Sequence, residues 1–288
     1  MLATSAQGAL LAVAAAPPPT IVAAAKARGD QAAHLDFAAP WMQPLKKALN
    51  HGGTRRAKRD RSDARRKQLQ LATVDTRSGR PCVRTIVFRG FLPAHHLADA
   101  AGSAKVRGGE SCLLTFVTDS RSEKVRHVRE ALAAGHEAHV ECCWWLDEAN
   151  VQFRISGHAV LATATDESAR RAAVEEVWER LGASTRGTFA WADPGAPVVD
   201  MPQKASANRE PPELADANFV LFIVVPHTVD ELRLGGQQKR FRYRAATGDA
   251  DGAGGGSDDD NANFAGPQSP RGDVLASPGA WTVEEINP

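Results

Sequence analysis

Short β-prone runs follow one another along most of this chain, each closed by a turn signal, and that succession constrains the fold more than any other feature. Residues 69–76 lead through Arg77-Ser78-Gly79-Arg80 into 82–88, a hairpin signature. Residues 111–118 form an apolar strand, and 137–145 and 151–162 read as two long strands joined by a turn at 146–150. Residues 219–225 are the most strongly β-prone stretch, and 241–244 and 281–286 make a final pair. Helical spacing is confined to three places. Trp41, Leu45 and Leu49 share one face, and Ser120 and Glu123 form a capping-box pattern opening a second helix. The third helix spans 167–181, with Ala173, Val177 and Leu181 in a stripe. Many antiparallel strands with few helices predict a mainly β fold with flanking helices, closed as a barrel.

Composition sets the limits of that domain. Residues 1–29 are rich in Ala, carry Lys26 and Arg28, and hold no acid before Asp30. This is the composition of an organellar transit segment or of a disordered tail, and 1–40 is set apart accordingly. Residues 245–279 contain Gly252-Ala253-Gly254-Gly255-Gly256 and the acids Asp258, Asp259 and Asp260. They offer little apolar surface and read as a disordered insertion between two paired strands. The folded domain is then 41–244 plus 280–288, with a Pro-rich loop expected at 193–218.

Several function classes drop out. A formal net charge of +1 gives no global field for nucleic acid. The local run Arg55, Arg56, Lys58, Arg59, Arg61, Arg65, Arg66, Lys67 has no interleaved aromatics, is offset by Asp60 and Asp63, and reads as a solvated linker or helix face. No apolar run reaches the roughly 18 residues of a membrane span. The cysteines Cys82, Cys112, Cys142 and Cys143 have no zinc-site spacing, so no metal is expected. They read as reduced, buried thiols of a reducing compartment, the cytoplasm or an organelle interior. No Gly-x-Ser-x-Gly occurs, and the histidines, among them His95, His96, His139, His158 and His227, have no nucleophile context and read as surface or strand-face residues.

Three clusters remain that carry chemistry. Arg84-Thr85-Ile86-Val87-Phe88-Arg89 is an apolar strand with a cation at each end. In Thr118-Asp119-Ser120-Arg121-Ser122-Glu123-Lys124 a strand ends and a helix begins among hydroxyls and cations, a setting for an anion. Gln152-Phe153-Arg154-Ile155-Ser156-Gly157 opens a long strand with an amide that both donates and accepts. Each cluster alone also fits an ordinary structural role.

Their order and spacing together resemble the pyridoxamine 5'-phosphate oxidase family of FMN-binding split barrels. That family pairs a strand of the type Arg-x-Val-Leu-Leu-Lys with a Ser-Arg-Lys phosphate segment and a strand starting Arg-Gln-Val-x-Ile-x-Gly. The segments 84–89, 116–124 and 151–157 match in turn, and 222–234, 240–243 and 281–288 resemble the family's C-terminal part. The resemblance implies a split β-barrel, FMN as cofactor, a homodimer and a small-molecule substrate. It implies that Arg84, Thr85, Ile86 and Val87 line the flavin and its ribityl chain, that Val117 and Thr118 meet the ring, and that Ser122 and Lys124 hold the phosphate. Glu123 stands where the family has a phosphate arginine, and Arg121 is the candidate to replace its charge. Gln152 would reach the flavin from the opposite subunit, and Arg240 would approach its electron-rich side. Arg89 and Arg186 are candidate substrate contacts. The family's Arg-x-His before the last arginine is replaced by Gln237-Gln238-Lys239. That departure fits an oxidase-like protein better than the authentic oxidase, and a non-catalytic FMN- or haem-binding module is the alternative. A nucleic-acid-associated protein using 55–67 ranks below both.

Overall fold

The computed structural model describes residues 39–51, 65–97, 109–166, 168–197, 217–246 and 281–288. The transit or tail segment, most of the basic run at 55–67, residues 198–216 of the Pro-rich stretch and residues 247–279 of the insertion lie outside the described residues.

The strands begin with β1 (Gln68–Asp75) and β2 (Arg80–Val87), an antiparallel hairpin. Gly79 turns it at φ +67, a backbone region that glycine enters without steric cost. β3 (Gly90–Pro93) is short, and β4 (Glu110–Asp119) follows. A second hairpin joins β5 (His139–Leu146) to β6 (Val151–Ala162), with Asn150 in the left-handed region at the turn. β7 (Phe219–Arg233), β8 (Lys239–Ala245) and β9 (Trp281–Ile286) complete the set. Helices α1 (Met42–Leu49), α2 (Glu123–Ala133), α3 (Ser168–Arg180) and α4 (Ala183–Gly187) flank the strands.

The strand order is β2-β1-β5-β6-β7-β4-β3. The two end strands are one piece of chain, separated only by Phe88 and Arg89. The Phe88 N–H donates to Lys67 O at 2.8 Å on the β1 side, and the Arg89 N–H donates to Thr115 O at 2.9 Å on the β4 side. The sheet therefore closes on itself. β7 splits it. One edge of β7 pairs with β6 throughout, while the other pairs with β4 from Phe219 to Val224 and with β8 from Thr228 to Arg233. The change falls beside Pro226, which has no N–H to give a ladder. The result is a split β-barrel with flanking helices.

Aromatic rings fill the interior. Phe88 packs edge-on against Phe91, Phe116 and Trp144, with centroids 5.0 to 6.3 Å apart. Trp41, at the start of α1, is fully buried against Phe91 and Trp281. A satellite group joins Trp178 of α3 to Phe189 and Phe219. Truncating such a ring to Ala typically costs about 3–5 kcal/mol. The stripe Ala173, Val177, Leu181 is buried as its spacing predicts, and so are Val174 and Trp178.

Four details differ from expectation. β7 continues eight residues past Val225, because beyond Pro226 alternating residues find a new partner in β8. β3 and α4 are additional elements, too short for periodicity to reveal. The α2 N-cap is Ser122 rather than Ser120, without a side-chain bond into the helix; its Oγ donates back to Asp119 O at 2.7 Å. The cysteines among the described residues are free thiols, as expected, although Cys82 and Cys143 are only half-buried. Among the described residues no helix is long and apolar enough to cross a membrane.

Candidate functional site

The site is built where β4 runs into α2, beside the edge strand β2. Lys124 Nζ donates to Thr118 Oγ1 at 3.0 Å, and Thr118 Oγ1 lies 3.2 Å from Ser122 Oγ. Ser122 is buried. The first N–H groups of a helix lack acceptors within it, so this corner combines backbone donors with the Lys124 ammonium, a combination suited to an anion.

Arg84 joins from β2. One guanidinium nitrogen donates to Leu71 O, Thr73 Oγ1 and Cys82 O at 3.2, 2.7 and 2.9 Å. Thr73 in turn bonds His127 of α2 at 2.8 Å, tying the helix to β1. Lys124 sits close enough to Arg84 to feel its charge. Burial first, and then Arg84, lowers the Lys124 ammonium below its ordinary value, and burial lowers Arg84. Neither cation forms an ion pair with a carboxylate of the described residues. Asp119 and Glu123 act on them only at longer range, so two half-buried cations stand together without a direct carboxylate partner, a costly arrangement that an anion would relieve.

A cavity of about 360 Å³ opens next to this corner. Arg89, Val117, Thr118 and Asp119 form one wall, and Thr185, Thr188 and Trp191 contribute to the other. Thr118 belongs to both the cavity and the cation corner. Burial lowers the Arg89 guanidinium below its ordinary value. The volume falls within the range of small-molecule sites.

Strand alternation divides the remaining candidates. Arg84 and Ile86 are half-buried on the inner face of β2, whereas Thr85 and Val87 are exposed on the other. In the ladders Trp145, Gln152, Leu232 and Arg240 stand in one row across β5, β6, β7 and β8. Thr85 lines up with Gln70, Cys143, Arg154 and Asp230, two residues along the ladder and so on the same face. Residues directly opposite share a face. Thr85, Val87, Gln152 and Arg240 thus lie on the outside of the barrel, away from Arg84.

Arg121 and Arg186 stand apart from both groups. Arg121 forks Asp119 at 2.9 and 2.7 Å, also pairs with Asp193, and donates to Trp191 O at 3.0 Å. Its hydrogen bonds to Asp119 raise its pKa. It clasps the cavity's far wall to β4. Arg186 lies with its guanidinium 6.0 Å over the Trp178 ring rather than in the cavity lining. Thr185 and Thr188 belong to the segment 184–191, which loosely resembles the family's substrate-phosphate loop, whereas no sequence signal marks Asp193. For the two threonines the hydroxyl-rich run Ser184-Thr185-Arg186-Gly187-Thr188 was the available signal.

Residues 38–163 match the family model described as pyridoxamine 5'-phosphate oxidase, FMN-binding domain. Over these residues the chain is similar to the FMN-binding domain of pyridoxamine 5'-phosphate oxidases. The three clusters at 84–89, 118–124 and 152–157 all fall inside the matched residues; Arg186 and Arg240 lie beyond them. The chain is 26% identical over 181 residues to pyridoxine/pyridoxamine 5'-phosphate oxidase 2 of Arabidopsis thaliana, covering 62% of this chain and 80% of that protein. Among solved structures, a pyridoxamine 5'-phosphate oxidase-related, FMN-binding protein from Nostoc punctiforme is 28% identical. It superposes with a TM-score of 0.59 over 87% of this chain and 99% of its own. PhzG from Burkholderia lata shares the fold, with a TM-score of 0.51, 17% identity and coverage of 90% and 98%.

Proposed function

We propose that the chain is an FMN-dependent oxidoreductase of the oxidase-like kind, working as a homodimer on a small substrate. The observation that carries this reading is that Lys124, bonded to Thr118 beside the buried Ser122, lies within reach of the charge of Arg84. A phosphate monoester is a dianion of the size and charge that such a corner lacks. Lys124, Arg84 and Ser122 hold the phosphate. Ile86, Val117 and Thr118 line the path to the ring, and Arg121 braces the cavity wall.

The outward row supports the dimer. Thr85, Val87 and Gln152 cannot reach Arg84's ligand from the same face, but a second subunit can bring Gln152 and Arg240 to it. Val83, Val87 and Trp145 leave apolar surface on that side, 69%, 36% and 43% exposed, which suits a covered face. The flavin supplies the hydride-accepting chemistry. The protein's part is to hold the phosphate, seat the ring and offer Arg89 to an electron-rich group of the substrate in the cavity.

A second reading, flavin binding without pyridoxamine 5'-phosphate oxidation, is favoured by the region before Arg240. Lys239 is paired with Glu285 at 3.3 Å and Arg240 with Asp230, so neither presents a free planar fork. Titration of the purified protein with FMN tests the leading reading. Saturable binding of one FMN per chain, with a flavin absorbance spectrum, is expected. No saturable binding, or a haem spectrum instead, would refute it.

A further inference from the structure

The flavin reading leaves unused a group of metal-binding side chains at the bulge between β6 and β7. In this ladder Ser156 stands opposite Thr228 and Gly157 opposite Pro226, so His227 has no partner residue. It is the extra residue of the bulge, and bulges re-aim side chains out of the regular alternation. His158 follows the bulge on β6. Residues 69 apart in sequence are thereby brought ring to ring: His158 Nδ1 and His227 Nε2 are 2.7 Å apart. Gly157 permits the approach. A Cβ there would stand 2.0 Å from Val225 O, closer than any side chain tolerates. Glu137, just before β5, adds a carboxylate, and the three ligand atoms lie within 4.8 Å of one another.

We propose that Glu137, His158 and His227 bind one zinc ion. Two imidazole nitrogens and a carboxylate oxygen suit zinc, which takes such ligands at about 2.0–2.2 Å and leaves a fourth position for water. Nitrogens on a tetrahedral ion stand about 3.3 Å apart, so the two rings need only open by roughly 0.6 Å. Without metal, one of the facing nitrogens must carry the proton of their hydrogen bond. Zinc takes that proton's place, with His158 protonated at Nε2 and His227 at Nδ1. The other histidine group is arranged differently. His95 and His96 both direct Nε2 at one oxygen of Glu176, whose other oxygen is held by Arg180, which makes a clasp between α3 and the turn after β3.

The test uses the full chain, free of any affinity tag, equilibrated with zinc chloride, dialysed and analysed for bound metal. About one zinc per chain is expected. His158→Ala and His227→Ala should each weaken binding at least about tenfold, Glu137→Gln should weaken it too, and a His95→Ala/His96→Ala double variant should bind like the unaltered protein. X-ray absorption at the zinc edge of the unaltered protein needs no variant to fold, and should show two imidazoles and oxygen without sulfur. Three results would each overturn the proposal: no stoichiometric zinc, undiminished zinc in a His158→Ala/His227→Ala double variant, or sulfur around the metal. Loss of zinc on changing His95 and His96 alone would overturn it as well.

Discussion

Arg240 forks Asp230 across the β7–β8 ladder, with Nε 2.8 Å from one carboxylate oxygen and Nη2 2.7 Å from the other. Arg242 approaches the same carboxylate at 3.6 Å. Burial alone would raise the Asp230 pKa, but Arg240's hydrogen bonds and the neighbouring guanidinium charges outweigh it and hold the group below the usual carboxylate range. A depressed folded pKa means that the pair stabilises the fold above the ordinary Asp value of about 3.9. That contribution is lost as pH falls through the lower, folded value. Asp230→Asn should cost about 2 kcal/mol at neutral pH, and the gap should close in strong acid. Urea denaturation at pH 7 and below pH 3 measures both; a gap that stays constant would show that the pair does not act this way.

Lys124 and Arg121 offer a sharper comparison, because they lie three residues apart in different surroundings. Lys124→Ala removes a cation without a carboxylate partner and should weaken FMN binding about tenfold or more. Arg84→Ala should do the same. Arg121→Ala removes a cation already held by Asp119 and Asp193, so FMN affinity should change less than about threefold. Flavin fluorescence titration of the variants distinguishes them. Equal losses would mean that Arg121 turns to the phosphate when FMN binds.

If each flavin draws Lys124 from one subunit and Gln152 from the other, complementation follows. Lys124→Ala and Gln152→Ala homodimers should both bind poorly. After mixing and subunit exchange, about a quarter of the sites should regain full affinity, since each mixed dimer rebuilds one intact site. No recovery in mixed dimers whose formation is verified by native mass spectrometry would place both residues on one subunit's site.

Gly157→Ala should be severely destabilising, by about 3 kcal/mol or more, because the added carbon meets the Val225 carbonyl and the strand backbone must move. Thermal and chemical denaturation test this. Near-native stability would show that the β6–β7 spacing yields easily.

Turnover of pyridoxamine 5'-phosphate should be absent, or at least about 100-fold below that of an authentic oxidase, with FMN still bound. A reacting carbon misplaced by about 1 Å can cost that much. Gln237 and Gln238 cannot replace a planar cationic fork, and Lys239 is engaged by Glu285. Hydrogen peroxide and pyridoxal 5'-phosphate formation at saturating substrate measure it. A rate like that of the authentic oxidases would assign the grip to Arg89.

Much of the barrel was legible because strands with one wet face alternate. β6 falls at residues 151–162, as its pattern predicts, and β1, β2, β4 and β5 lie within two residues of expectation at each end. The second half of β7 was hidden by Pro226, which reads as a strand breaker until a partner change at that residue accounts for it. In the site, Lys124, Thr118 and Ser122 could be grouped because they are neighbours in sequence. Arg84 could be added only by resemblance, since nothing local announces that Thr73 of β1 links it to α2. The His158–His227 pair was not legible at all: it depends on one unpaired residue in a ladder, and a bulge leaves no mark in hydrophobic periodicity.

The pairing of Ala245 with Trp281 has a consequence for how this protein can change. The 35 residues from 246 to 280 leave and return at adjacent positions on one strand edge, so their number is uncoupled from the geometry they connect. Loop closure costs only about 0.6 kcal/mol for each doubling of length. Sequence can therefore accumulate or be lost there almost without thermodynamic penalty. Changes in the length of the β8–β9 connection therefore leave the barrel and its cation corner where they are.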